Sequence, residues 1–330
     1  MTATLTDEIV GVEDLRKFFP VRGGVLRRQV AAIRALDGVS FSLRVGETLG
    51  LVGESGCGKS TVGQILVGLT TPTSGTVRFR GVDVETMPAA DRRELRCAIQ
   101  IVFQDPYSSL SPRMTARELV SEPLRVQGGY RSGGRDRVVE LLEMVGLSAE
   151  HLNRYAHEFS GGQRQRLGIA RALALDPSVL VLDEPVSALD VSIRAQVVNQ
   201  LATLQRELGL AYLFISHDLS VVRHSCDRVI VMYLGKVVES GDKLDIFERP
   251  AHPYTRALLS AIPLPDPALR DRPDRIVLSG DVPSPRNPPS GCRFRTRCWK
   301  AQDVCATTEP VLTPTQSGTQ SVACHFPEQQ

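Results

Sequence analysis

Apolar residues in this chain follow two rhythms. Short continuous runs read as strands buried on both faces, as in the middle of a parallel sheet: Thr48-Leu-Gly-Leu-Val52, Ile99-Gln-Ile-Val-Phe103, Val179-Leu-Val-Leu182 and Tyr212-Leu-Phe-Ile-Ser216. Elsewhere the apolar spacing lengthens to three and four. Val62, Ile65, Leu66 and Leu69 fall on one side of a helix, as do Leu167, Ala170, Leu173 and Ala174, and then Ile193, Val197, Leu201, Leu204 and Leu208. Two more helices are predicted over 115–124 and 135–145, separated by the glycine-rich 128–134. The first fifty residues instead alternate, predicting strands at 9–15, ended by Phe18 and Phe19, and at 35–45, with Gly38 and Gly46 as turns and 22–28 as an exposed loop. A further strand over 76–84 belongs to a hairpin-rich sheet, and 229–238 reads as a hairpin around Gly235. Strands alternating with helices predict an α/β fold. From Pro250 to Pro289 prolines recur, which predicts extended, linker-like chain.

Several of the buried runs end in chemically capable residues. After Val52 comes Gly53-Glu54-Ser55-Gly56-Cys57-Gly58-Lys59-Ser60-Thr61, with the spacing G-x-x-x-x-G-K-[ST] between a strand and a helix. Glycines there let successive N–H groups turn inward onto phosphate oxygens, Lys59 reaches the outer phosphates and Ser60 ligates Mg²⁺. The helix that follows points its positive end at the same anion. This stretch predicts a nucleoside triphosphate site. Gln104 follows the 99–103 run and is placed to reach Mg²⁺ or a water, although a strand-end Gln alone is more often plain surface. Asp183 and Glu184 follow the 179–182 run, the first suited to the metal shell and the second to polarising an attacking water. His217 follows the 212–216 run, at the end of the sheet where open α/β folds bind ligands. Ser160-Gly161-Gly162-Gln163 opens a helix with a good N-cap, either a second anion-binding helix start or an ordinary capped helix. Phe18 and Phe19 are open to two readings, core packing or stacking on a purine.

Composition narrows the setting. A chain of 330 residues holds one large domain with an appendage, or two domains. A net charge of +2 gives no general attraction to nucleic acid or anionic lipid. Asp7 and Glu8 replace the basic start of a secretory signal, and no apolar run approaches the ~20 residues of a membrane span. A cytosolic location is expected, with any membrane role exerted through partners. There the seven cysteines read as metal ligands or plain thiols. Cys292, Cys298, Cys305 and Cys324 crowd the end of the chain with the spacing C-x5-C-x6-C-x18-C. It matches neither the short pairs of common zinc sites nor ferredoxin runs, so iron–sulfur, zinc, and free thiols or disulfides all stay open. Arg293, Arg295, Arg297 and Lys300 are placed to offset the charge of a thiolate-bound metal. Cys57, inside the phosphate loop, is expected to let alkylating agents block nucleotide binding.

Taken in order, Gly53–Ser60, Gln104, Ser160–Gln163, Asp183-Glu184 and His217 resemble the ATP-binding cassette ATPases over residues 9 to about 245. His252-Pro-Tyr-Thr255 and the cysteine tail look like the dipeptide/oligopeptide (and nickel) importer ATPases. Asp190-Val-Ser-Ile-Arg-Ala-Gln196 and the 283–289 stretch look like their F-type subunit. The resemblance implies a P-loop NTPase with a RecA-like core, an antiparallel β subdomain, a helical subdomain over about 106–176 and a Pro/Cys-rich extension. Domains are expected at 1–249 and 250–330. It further implies that Phe19, rather than Phe18, stacks on adenine, that His217 contacts the γ-phosphate, and that Gln104 links hydrolysis to the helical subdomain and permease. Ser160–Gln163 would bind the γ-phosphate held by an opposite subunit, with Asp190 at that interface. Phe159 stands where such families have Leu, and Ala156 where they commonly have Pro; neither removes a polar group. The implied cofactors are ATP, Mg²⁺ and a [4Fe–4S] cluster on the four tail cysteines. The implied partners are a D-type ATPase in a heterodimer, two permeases and an extracytoplasmic binding protein, with the chain peripheral to the cytoplasmic face of the membrane and no nucleic acid. Peptide import leads; nickel or another small solute is the alternative. Export is disfavoured by the tail. A soluble role in DNA repair or translation is disfavoured because this chain has no second cassette and no long coiled-coil or zinc insertion.

Overall fold

The fold was obtained as a computed structural model and is described for residues 7–23, 28–131, 133–262, 276–316 and 318–328. It is built on two sheets. The smaller is antiparallel, of order β2-β1-β4-β5, from β1 (Glu8–Gly23), β2 (Arg28–Arg44), β4 (Ser74–Phe79) and β5 (Val82–Asp83). Between β2 and β4 the chain enters the larger sheet as β3 (Thr48–Val52) and leaves it through helix α1 (Lys59–Leu66). That sheet has the order β11-β12-β10-β9-β3-β8-β7-β6. Its strands are β6 (Ile99–Val102), β7 (Val179–Asp183), β8 (Ala211–Ser216), β9 (Arg228–Tyr233), β10 (Lys236–Asp242), β11 (Thr313–Pro314) and β12 (Gln320–Val322). From β6 to β9 the neighbours run parallel, and β10, β12 and β11 are added antiparallel.

Every residue of β3, β7 and β8 is buried, as their unbroken apolar runs demand. The two-residue period of a strand then sorts those side chains between two cores. Leu180, Leu182, Tyr212, Phe214, Val229 and Val231 pack on one face with the helical layers. Val179, Val181, Leu213, Ile215, Ile230 and Met232 pack on the other with α1 and the antiparallel sheet.

The helical layer holds α3 (Pro106–Ser109), α4 (Ala116–Gln127), α5 (Gly134–Met144), α6 (Gly161–Leu173), α7 (Val191–Leu208) and α8 (Leu219–Ser225), whereas α2 (Ala89–Ala98) packs its Leu95 on the face that carries α1. Helix α4 begins with a reciprocal cap, Thr115 with Glu118, which fixes its start and holds the Glu118 carboxyl below its ordinary range.

Several expectations are corrected. Phe18 and Phe19 do not end β1, which continues to Gly23, and Gly38 sits inside β2 rather than at a turn. Residues 24–27 of the expected loop lie outside the described residues. Helix α1 stops at Leu66, ahead of the left-handed Gly68, and leaves Leu69 exposed. The proline-rich stretch after Pro250 is not simply linker: α9 (Lys243–Glu248) is followed by α10 (Pro253–Ser260), which buries Pro253, Tyr254, Thr255 and Ala257. Of the rest of that stretch, 263–275 lies outside the described residues, and 276–289 forms neither helix nor strand. Beyond it α11 (Asp303–Thr307) carries Cys305, and β12 pairs with β10. No described helix is long and apolar enough to cross a membrane.

Candidate functional site

The phosphate loop turns from β3 into α1 with left-handed glycines at its two motif ends. A Cβ on Gly53 would lie 2.2 Å from the Met232 carbonyl oxygen, and one on Gly58 2.3 Å from that of Ala35, so neither position admits a side chain. Lys59, 5 % exposed, donates to the carbonyl oxygens of Gly53 (2.7 Å) and Glu54 (3.1 Å), which holds its ammonium inside the loop. Ser60 donates to Asp183 Oδ1 at 3.0 Å, joining the start of α1 to the end of β7. Burial raises the Asp183 carboxyl above its ordinary range, against the lowering effects of Ser60 and Lys59.

Glu184 follows with φ 48, a left-handed conformation that a non-glycine residue holds only when its surroundings impose it. Its N–H donates to the Ile215 carbonyl and its own carbonyl accepts from the Ser187 hydroxyl. The carboxylate is thereby aimed between two other strand ends. Oε2 accepts from Gln104 Nε2 at 2.8 Å, and Oε1 lies 2.9 Å from His217 Nδ1. The ends of β6, β7 and β8 therefore deliver Gln104, Glu184 and His217 to one point, beside the hydrogen bond between Asp183 at the end of β7 and Ser60 at the start of α1.

Ser160-Gly161-Gly162-Gln163 is built differently. Ser160 Oγ accepts from the Gln163 N–H, and Gln163 Oε1 accepts from the Ser160 N–H, a closed capping box. A Cβ on Gly162 would meet Ile193 Cγ2 at 2.4 Å, and one on Gly161 would have Leu189 and Tyr107 as neighbours. These surroundings are distinct from those of the phosphate loop, whose neighbours are Met232, Ala35 and Leu36. Asp190 is exposed at the start of α7 and caps nothing with its side chain. Phe19 is 37 % exposed with the Lys17 ammonium 4.9 Å from its ring centre, so it is not core. Cys57 is 4 % exposed and burial raises its thiol pKa, which disfavours the reactive thiolate and argues against the expected sensitivity to alkylation.

Cys292, Cys298, Cys305 and Cys324 line one small cavity with His252, Phe294 and His325, and all seven cysteines are free thiols. Among the described residues no three His, Cys, Asp or Glu side chains converge on a metal-binding point, so the expected cluster site is not formed as such. The donor set itself fits thiophilic metal. Burial raises the thiols of Cys292, Cys298 and Cys324, the last to about 11. The expected charge-offsetting cations mostly have other partners: Arg293 pairs with Asp37, Arg297 with Glu54 and Lys300 with Glu328, and Arg295 donates to Ser290.

Tyr254 and Arg297, to which the sequence assigned no part in the phosphate site, touch the phosphate loop directly. Both contact Glu54, 200 and 243 positions away in sequence. The only hint in the sequence was the Pro-Tyr-Thr at the start of α10.

Comparison with known proteins follows this geometry. A family model described as ABC transporter matches residues 36–187, and one for the oligopeptide/dipeptide transporter C-terminal region matches 238–305. The oligopeptide transport ATP-binding protein AppF of Bacillus subtilis is 51% identical over 328 residues, 99% of each chain. OppF of Salmonella typhimurium, also named an oligopeptide transport ATP-binding protein, is 52% identical over 308 residues, 92% of each. Among solved structures, the cassette MJ0796 in a dimeric post-hydrolysis state with ADP and Pi superposes with TM-score 0.62 at 31% identity, over 71% of this chain and 99% of that one. The cbiO1 subunit of Clostridium perfringens superposes with TM-score 0.63 at 30% identity, over 74% and 92%.

Proposed function

The chain belongs to the ATP-binding cassette transporter ATPases, in their oligopeptide/dipeptide-importer branch, and we propose that it hydrolyses ATP to drive peptide uptake through membrane-spanning partners. The observation that carries the mechanism is the suspension of Glu184 between Gln104 and His217, beside the Ser60–Asp183 hydrogen bond. ATP lies with its phosphates in the loop 53–61, held by inward N–H groups and Lys59, and with adenine on Phe19. Ser60, Asp183 and Gln104 would hold Mg²⁺, which would supply charge neutralisation for the phosphates. Glu184 takes a proton from the attacking water, the water oxygen bonds to the γ-phosphorus, and the bond to the β–γ bridging oxygen breaks, leaving ADP and phosphate. Gln104 and His217 hold Glu184 in line for that step, and His217, 55 % exposed, contacts the γ-phosphate.

Ser160–Gln163 completes the site of a second cassette rather than its own. In support, its capped helix start has neighbours different from those of the phosphate loop, and Asp190 is exposed nearby in the chain. The working unit is then two cassettes clamping two ATP, with a D-type ATPase as the second half, two permeases and an external binding protein at the cytoplasmic face of the membrane. A surface cleft of about 380 Å³, lined by Phe103, Glu122, Pro123, Val126 and Arg171 beside Gln104, suits a permease segment. Residues 1–249 form the nucleotide-binding domain, with a helical subdomain over about 106–176, and 250–330 the extension. Its four cysteines would hold a [4Fe–4S] cluster, whose loading requires the thiols to deprotonate and turn inward.

Uptake of labelled peptides in cells lacking the gene tests this reading. The wild-type chain restores uptake and Glu184→Gln does not. Uptake restored by Glu184→Gln contradicts the assignment of the base. Restored nickel uptake without peptide uptake establishes the alternative substrate.

A further inference from the structure

A phosphate-binding loop that carries its own carboxylate faces an electrostatic problem. Glu54 is the second residue of the loop 53–61, and an unpaired negative charge there opposes the binding of a polyanion. The structure answers it from the far end of the chain. Arg297 Nη1 donates to Glu54 Oε2 at 2.7 Å, with the arginine side chain only 8 % exposed and that of Glu54 25 %. The Glu54 N–H donates to the Tyr254 hydroxyl at 2.9 Å, and its carbonyl accepts from Lys59. One residue thus ties the loop to α10, to the cysteine-bearing segment and to the phosphate-binding lysine. The two outside anchors are themselves rigid. Phe294 packs edge-on against Tyr233 and tilted against Tyr254, with ring centres 5.3 Å away in each case, and the Tyr233 and Tyr254 rings lie 4.8 Å apart. Arg293 is locked to Asp37 and the Leu234 carbonyl.

We propose that Arg297 is a positioning residue for ATP binding, which neutralises and orients Glu54 so that the cysteine-bearing extension completes the phosphate site of its own cassette. The inference rests on the reading of loop 53–61 as the ATP site. It is separate from whether the cysteines carry a metal, because the Arg297–Glu54 pair contains no thiol. By linkage, anything that loosens the segment around Cys292 and Cys298 lowers ATP affinity, and bound ATP in turn tightens that segment.

The test is equilibrium binding of Mg-ATP to the purified full-length chain, with thermal melting recorded on the same samples. Arg297→Ala raises Kd about tenfold, as expected for leaving a half-buried carboxylate unpaired beside the phosphates. Arg297→Lys, which keeps the charge and loses the fork, falls between. The decisive variant is Arg297→Ala with Glu54→Gln, which removes the stranded charge and recovers most of the lost affinity. A merely structural tie would lower the melting temperature and show no such recovery. An Arg297→Ala Kd within about twofold of wild type overturns the proposal, as does a double variant no better than the single. If Arg297→Ala fails to fold, Arg297→Lys and the double variant carry the same comparison. A wild-type chain that does not bind Mg-ATP overturns the ATP-site reading and this inference together.

Discussion

The catalytic cleft and the C-terminal extension are assembled by opposite logics. In the proposed cleft, Gln104, Glu184 and His217 each follow a strand of the parallel sheet, and strand pairing brings them together: β6, β7 and β8 place them side by side. In the extension, little regular structure positions anything. Its described strands are two and three residues long, and its side chains are fixed by contacts with distant partners, Arg293 with Asp37 and Arg297 with Glu54. The cleft therefore tolerates removal of a polar tip at the expense of chemistry, whereas the extension loses its attachment when one anchor goes.

The sharpest way to break this contrast is Arg293→Ala. Arg293 and Asp37 have side chains 6 % and 11 % exposed, and removing Arg293 leaves the carboxylate only its looser pairs with Arg16 (3.9 Å) and Arg34 (3.8 Å) and takes the donor from the Leu234 carbonyl. A loss of about 2–3 kcal/mol in denaturant-unfolding stability is expected, with the tail becoming protease-sensitive first. A loss under about 1 kcal/mol would make the extension a loosely held appendage and dissolve the contrast.

A smaller effect sharpens it. Where the extension meets β10, two buried groups titrate in opposite senses. Glu239 is raised to about 7 by burial, although it accepts from the Ala251 and His252 N–H groups and from Gln320. Its folded pKa lies above the ordinary value of 4.5, so it contributes stability at low pH that is lost as pH rises through 7. His252 is lowered to about 3 by burial while its Nδ1 accepts from the Tyr254 N–H. Its folded pKa lies below 6.5, so its contribution is present above 6.5 and is lost as pH falls toward 3. Between 4.5 and 6.5 the two oppose each other. Glu239→Gln exposes the histidine, and its denaturation midpoint falls more steeply than wild type on acidification from pH 7. Identical pH slopes for variant and wild type would show that these groups do not govern attachment of the extension.

The same contrast explains what could be read in advance. The buried strands follow from runs such as 179–182 and 212–216, and the loop 53–61 announces itself by spacing, because local sequence dictates both; the order of the strands in the sheet does not follow from either. The left-handed Glu184 left no trace in composition, since it is imposed by the hydrogen bonds around it. The linker expected after Pro250 became partly the helix α10, because prolines also open helices, as Pro253 does at the first position after the His252 cap. Arg297 read as a counter-charge for the cysteines because Cys298 follows it in sequence; its partner in space is Glu54. Contacts of that range are invisible to any pattern read along the chain.

The central claim is that two cassettes share each nucleotide and that Glu184 cleaves it. Sedimentation of Glu184→Gln mixed with its companion cassette, with and without Mg-ATP, tests it most directly. The account predicts an ATP-dependent dimer that persists because its nucleotide is not hydrolysed. Two species that sediment separately with Mg-ATP bound to both would contradict it.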